Sequence, residues 1–133
     1  MNANVRDVIE ECTKASDEER VTFGEVVMKL MAAGVERYHA DLTRAQKTYF
    51  LPSDESLVVA AAPVAGKAPS ALSAAGVEAA VRAIQSRAIQ YKEFCERIVA
   101  AGCVGYFVSL AGRRAVYYGR TGETYVEPFP AAK

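Results

Sequence analysis

From position 23 the apolar side chains fall at Phe23, Val26, Val27, Leu30 and Met31, with Gly34 next on the same face. Steps of three and four residues make one apolar stripe on a helix. Tyr91, Phe94, Cys95, Ile98, Val99 and Gly102 repeat the pattern. Thr22 and Glu25 form a capping box at the start of the first of these helices. Gly34 and Gly102 stand where a left-handed residue ends each one. An earlier helix is predicted over Val5 to Ala15, with Val5, Val8, Ile9 and Cys12 inward. Its counterpart begins after Pro69 and Ser70, with Leu72, Val77, Ala80, Val81 and Ile84 inward.

After each glycine the period becomes two. Glu36–Leu42 and Val104–Leu110 read as strands, and Lys47–Leu51 and Ala115–Tyr118 as their hairpin partners. Short third strands are expected at Ser56–Ala60 and Thr124–Glu127. The halves are related by an offset of 68. Val21–Val58 aligns without gaps onto Ile89–Val126, and nine of 38 positions are identical, among them Glu25/Glu93, Gly34/Gly102, Tyr38/Tyr106 and Tyr49/Tyr117. Chance would give about two or three, so the chain is read as a duplication. The expected fold is α+β: a repeated helix–helix–strand–strand unit, with a third edge strand, building one mostly antiparallel sheet with helices on one face. The chain reads as a single domain, 1–133, with repeats at about 5–59 and 73–127. An Ala/Pro-rich connector, 60–72, joins them.

Alternation divides the strands. Tyr38, Ala40, Leu42, Tyr106, Val108 and Leu110 are expected beneath the helices. The open face then carries Arg37, His39, Asp41, Gln46, Thr48 and Phe50 from the first half, and Phe107, Ser109, Arg114, Val116 and Tyr118 from the second. The assignment assumes that Asp41 faces Gln46 and Ser109 faces Arg114, since a bulge would turn the partner strand over. Arg37, His39, Asp41, Phe50, Phe107, Arg114 and Tyr118 are the candidate ligand-binding residues. His39 beside Asp41, with a tyrosine such as Tyr49, is the candidate acid–base group. No nucleophile motif accompanies it, and the second half has Phe107 at the matching position. So much apolar surface calls for a cover. A second copy stacked face to face would supply one. So would the connector, or the tail Val126–Lys133 with Phe129 between two prolines.

Composition narrows the classes. Hydrophobic residues make up 51% of the 133, which excludes a disordered chain even though 24 of them are Ala. Lys+Arg 16 against Asp+Glu 16 excludes a generic basic nucleic-acid binder. The balance hides a gradient: residues 1–66 carry 7 basic and 11 acidic groups, and residues 67–133 carry 9 and 5. An acidic half docking on a basic half, within or between chains, is one consequence. Arg113, Arg114 and Arg120 beside Tyr117, Tyr118 and Tyr125 form the densest basic group and read as a charged hairpin. One histidine excludes a His-rich metal site, and no cofactor motif is present. Cys12, Cys95 and Cys103 form no CxxC and read as buried free thiols of a reducing cytoplasm. No secretory signal is expected at the start, and the longest apolar run, 57–65, is too short to span a bilayer.

The strings GVERYHADLTRAQKTYFLP, AIQYKEFCERIVAAGCVGYFV and GRRAVYYGRTGETYVEPFP resemble the YbcV-like family of small bacterial proteins, of which some are named phage envelope proteins. The matching elements are Gly34, Val35, Arg37, Tyr38 and Asp41, and Tyr117, Tyr118, Gly119, Gly122 and Glu123. The resemblance spans nearly the whole chain. It implies the fold class and carries no catalytic residues. The sequence reads as a non-enzymatic ligand- or protein-binding domain, homodimeric, acting through its open sheet face. The alternatives are a small enzyme using His39 and Asp41, and a phage-related accessory protein.

Overall fold

The computed structural model describes residues 1–130. Two helices, α1 (Ala3–Asp17) and α2 (Phe23–Ala32), precede three strands, β1 (Arg37–Asp41), β2 (Gln46–Phe50) and β3 (Ser56–Ala60). The order then repeats as α3 (Ala74–Gln85), α4 (Tyr91–Ala100), β4 (Cys103–Ser109), β5 (Arg114–Gly119) and β6 (Thr124–Pro128). The six strands form one sheet in the order β3-β2-β1-β4-β5-β6, and every neighbouring pair is antiparallel. The fold is α+β, as the two periods in the sequence predict.

Local chemistry sets the helix ends. The Thr22 hydroxyl accepts from the Glu25 amide, and the Glu25 carboxylate accepts from the Thr22 amide. At the other end of α2, Gly34 has φ +89°, and the Val35 and Gly34 amides return to the Leu30 and Met31 carbonyls. Gly102, after α4, has φ +99°. The duplication extends to left-handed residues beyond these two glycines. Glu19 and Arg87, Ala45 and Arg113, and Asp54 and Gly122 are pairs 68 apart, each with positive φ. Turn geometry was therefore retained where the side chains diverged.

The two halves join at β1 and β4. His39 lies opposite Phe107, and the pairing runs outward from Arg37↔Ser109 to Asp41↔Gly105. His39 and Phe107 are themselves 68 apart. Tyr38↔Val108 and Ala40↔Tyr106 are images of one another under the repeat. The pseudo-twofold axis of the chain therefore passes between His39 and Phe107.

All four helices lie on one face. Ile9, Leu30, Val77 and Ile98 from the helices pack on Tyr38, Tyr49, Tyr106, Val108 and Tyr117 from the sheet in one hydrophobic core. Two polar groups are buried with them by pairing: the Thr13 hydroxyl donates to the Ile9 carbonyl and lies 2.9 Å from Tyr49 Oη. The three cysteines are free and buried, and burial raises their pKa, to about 11 for Cys95 and Cys103.

Among the described residues, neither the connector nor the tail covers the open face. Val64 and Leu72 pack against the helix-side core, Ala68 is buried, and its carbonyl accepts from Arg120 Nε. Phe129 turns to the same side and meets the Phe23 ring at 5.5 Å. Residues 131–133 of the expected tail lie outside the described residues. The acidic and basic halves are not joined by ion pairs either. Every pair among the described residues, such as Glu11–Arg20, Arg37–Asp54 and Arg82–Glu127, stays within one half. Core packing and the β1–β4 ladder hold the halves together instead.

Candidate functional site

The open face is ordered into three rows across the sheet. The central row is Val58, Thr48, His39, Phe107, Val116 and Val126, one residue per strand. Above it run Ser56, Phe50, Arg37, Ser109, Arg114 and Pro128. Below it run Ala60, Gln46, Asp41, Gly105, Tyr118 and Thr124. The one bulge in β4–β5 falls at Cys103–Gly105, before these rows, so the alternation survives. Val58, Phe107 and Val126 are 55%, 41% and 46% exposed. All seven candidate ligand-binding residues stand on this face.

At its centre His39 Nε2 lies 2.6 Å from Tyr118 Oη. The imidazole is also 5.1 Å from the Phe107 ring and stacks on Tyr118 at 5.8 Å. Burial holds the His39 pKa below the ordinary imidazole value, against an opposing push from Asp41. His39 is therefore neutral near pH 7, with one ring nitrogen engaged by the phenol. Burial likewise raises the Tyr118 phenol.

Tyr118 reaches His39 because Gly105 leaves room. A Cβ at Gly105 would stand 2.3 Å from Tyr118 Oη and 2.9 Å from the Ala40 carbonyl oxygen. The image of this arrangement is different. Arg37 takes the place of Gly105 and Phe50 that of Tyr118, and the Arg37 guanidinium lies 4.4 Å over the Phe50 ring. One side of the axis therefore presents a phenol–imidazole pair, the other a cation on an aromatic ring.

The candidate acid–base group is not assembled. Tyr49 is 1% exposed on the helix side, held by Thr13, so the sheet separates it from His39. Alternation dictates this, because 39 and 48, not 49, share a face. Asp41 shares the face of His39, but its Oδ1 accepts from the Thr43 and Arg44 amides and caps the β1–β2 turn. The three arginines of the second hairpin do not converge. Arg113 lies 5.6 Å over the Phe129 ring, Arg114 Nε donates to the Gly112 carbonyl, and Arg120 stands at the far end of β5 on the connector.

The family described as Protein of unknown function (DUF1398) matches residues 18–128. The chain belongs to this family. No curated protein matches it. The matched span takes in every strand and three of the four helices of this DUF1398 chain, and so the whole open face. Among the described residues, no helix is long and apolar enough to cross a membrane.

Among the described residues of this DUF1398 chain, two buried charges escape sequence reasoning. Lys47 of β2 and Glu127 of β6 both point to the helix side, at positions the strand pattern marks as apolar. Glu127 accepts from Arg82 and from Tyr125 Oη. Burial pushes its pKa up, but these bonds outweigh it and hold the carboxylate below its ordinary value. Lys47 has no such partner. The signal was in the repeat: 47 aligns with Ala115 and 127 with Val59, so each half carries a charge where the other has an apolar residue.

Proposed function

We propose that this chain is a binding domain whose recognition surface is the open sheet face, and that a second copy of the chain occupies it. The observation that carries the reading is the central row, which crosses all six strands and ends in exposed valines on both edges. A face built on a pseudo-twofold axis suits an isologous contact. Turning a second copy about the line of this row lays the row on itself. It also sets Arg37 over the partner copy's Asp41, cation against anion, and Arg114 over the partner copy's Tyr118 ring.

Size sets the strength. Six strands about 4.8 Å apart and five residues long at about 3.3 Å each span roughly 500 Å², about 1,000 Å² for both copies. That is the lower edge of specific interfaces, so the dimer is expected in the micromolar range or weaker. His39, Tyr118 and Phe107 would lie at its centre, where a small ligand could be enclosed. The three buried free thiols support a cytoplasmic setting. The YbcV-like resemblance, and the phage connection carried by that name, fit the same reading of a small accessory protein that acts by binding.

Sedimentation velocity from about 1 μM to 1 mM tests it. The wild-type chain should shift from monomer to dimer, and Phe107→Glu should remain monomeric with an unchanged circular dichroism spectrum. A wild-type monomer at every concentration overturns the proposal.

A further inference from the structure

The pseudo-twofold axis relates two corners on the helix side of the sheet. In the second-half corner stand Ala115, Phe23, Val27, Gln85 and Phe129. The Phe129 ring packs edge-on against Phe23, and the Arg113 guanidinium closes over it. The residues at the equivalent positions in the other corner are Lys47, Tyr91, Cys95, Asp17 and Ala61. Where that corner has four unreactive side chains, this one has an amine, a phenol, a thiol and a carboxylate. The fifth difference, Ala61 in place of Phe129, leaves out the plug. A crevice of about 20 Å³ remains, lined by all five. That is room for one or two water-sized groups.

Lys47 is 5% exposed, and its Nζ lies 4.7 Å from the centre of the Tyr91 ring. No ion pair among the described residues includes it. Buried charges are normally paired, and a desolvated lysine without a carboxylate partner is a common form of nucleophilic amine. Asp17 lines the same crevice, its Oδ2 accepting from the Ala62 amide.

We propose that Lys47 is a carbonyl-reactive amine, and that this crevice takes aldehydes of one or two carbons as a reversible imine. The neutral Nζ lone pair forms the new C–N bond while the C=O π pair moves to oxygen. A proton passes from nitrogen to that oxygen. The hydroxyl takes a second proton from solvent and leaves as water while the nitrogen lone pair closes the C=N bond, and the iminium returns its remaining N–H proton to solvent. Water is the only by-product, and no oxidant or reductant is consumed. Burial, which lowers the Lys47 pKa against opposing pushes from Cys95, Asp17 and Cys12, enlarges the share of free amine at neutral pH. The inference is independent of the open face, which lies on the other side of the sheet.

The test is reductive trapping on the full native chain. Glycolaldehyde and cyanoborohydride are added at pH 7, and the modified lysines are mapped by mass spectrometry. Lys47 should be labelled several-fold faster than the exposed Lys14, Lys29, Lys67 and Lys92, and the excess should vanish in urea. Ala61→Phe copies the plug of the other corner. It should remove the excess at Lys47 and leave the exposed lysines unchanged. Labelling of Lys47 no faster than the exposed lysines overturns the proposal. So does an Ala61→Phe chain that is folded and labels as the wild type does.

Discussion

Gly105→Ala adds one methyl group at the place where the open face is tightest. The new Cβ would stand 2.3 Å from Tyr118 Oη, 2.6 Å from its Cζ and 2.9 Å from the Ala40 carbonyl oxygen. The first two contacts are with the end of a side chain and are relieved when Tyr118 swings away. That breaks its hydrogen bond to His39, a net loss of about 0.5–1.5 kcal/mol. It also breaks the stacking, about another 0.5–1.5 kcal/mol. The third contact is with the backbone of the neighbouring strand, so β1 and β4 must part by a few tenths of an ångström at their junction. Overpacking of this kind costs about 1–3 kcal/mol. Alanine returns about 0.5–1 kcal/mol by restricting the unfolded chain. The net expectation is a loss of about 1–5 kcal/mol, or roughly 3–18 °C in Tm for a chain of this length.

Urea melts give the stability, and the NMR titration of the single histidine gives the cause. Freed from the phenol, His39 is more exposed, and its pKa should rise toward the ordinary imidazole value, since burial is what lowers it. In a Tyr118→Ala background the same glycine change should cost only the Ala40 contact, so the two substitutions should be strongly non-additive. A Gly105→Ala chain within about 0.5 kcal/mol of wild type, with an unmoved His39 titration, would refute the reasoning.

Other expectations follow from the buried groups. Lys47→Met replaces an unpaired buried cation with an apolar chain of similar length, and should stabilise the fold by about 1–3 kcal/mol in urea melts at pH 7. A destabilised variant would mean that the Tyr91 contact outweighs desolvation. Because the folded Lys47 pKa lies below its unfolded value, its penalty is largest at low pH and fades as pH rises through the lysine range, so the advantage of Met should shrink there. Ala45→Gly and Glu19→Gly place glycine at left-handed positions. Each should stabilise by about 0.5–1 kcal/mol, net of the flexibility added to the unfolded chain. Equal or lower stability of both would show that these turns carry no strain. Burial raises the phenols of Tyr38, Tyr49, Tyr91, Tyr106 and Tyr117. Their contribution to stability is complete below the ordinary tyrosine pKa and is lost as pH rises through the folded values. Spectrophotometric titration should therefore show these five ionising together with alkaline unfolding, not before it.

The strands and their faces were legible because a period of two leaves little freedom once one face is apolar. The seven open-face candidates follow once Asp41 is set opposite Gln46 and Ser109 opposite Arg114, registers that the sequence reading assumed and the sheet has. The β1–β4 junction was not legible. Nothing local in RYHAD or CVGYFVS says that they pair, although a twofold duplication with third strands outermost leaves β1 and β4 as the pair to join. Tyr49 was grouped with His39 by chemistry alone, and the strand period already assigned it to the other face.

The repeat also shows where to look for chemistry. Two halves that share backbone turns at Glu19/Arg87 and Asp54/Gly122 have kept their geometry. Differences between equivalent side chains are then changes of content within a fixed frame. Most of the aligned differences are conservative or solvent-facing. Among those that bury a charge or open a space, Glu127 in place of Val59 is neutralised by Arg82 and Tyr125, and the others fall at two places. One is the axis itself, where His39 replaces the phenylalanine of its image and Gly105 the arginine. The other is the Lys47 corner, where four side chains changed together and the aromatic plug is absent. Drift would scatter such changes over the core and favour apolar replacements, because each buried charge costs stability. Their concentration at two points, on opposite faces of one sheet, is the argument that both are sites.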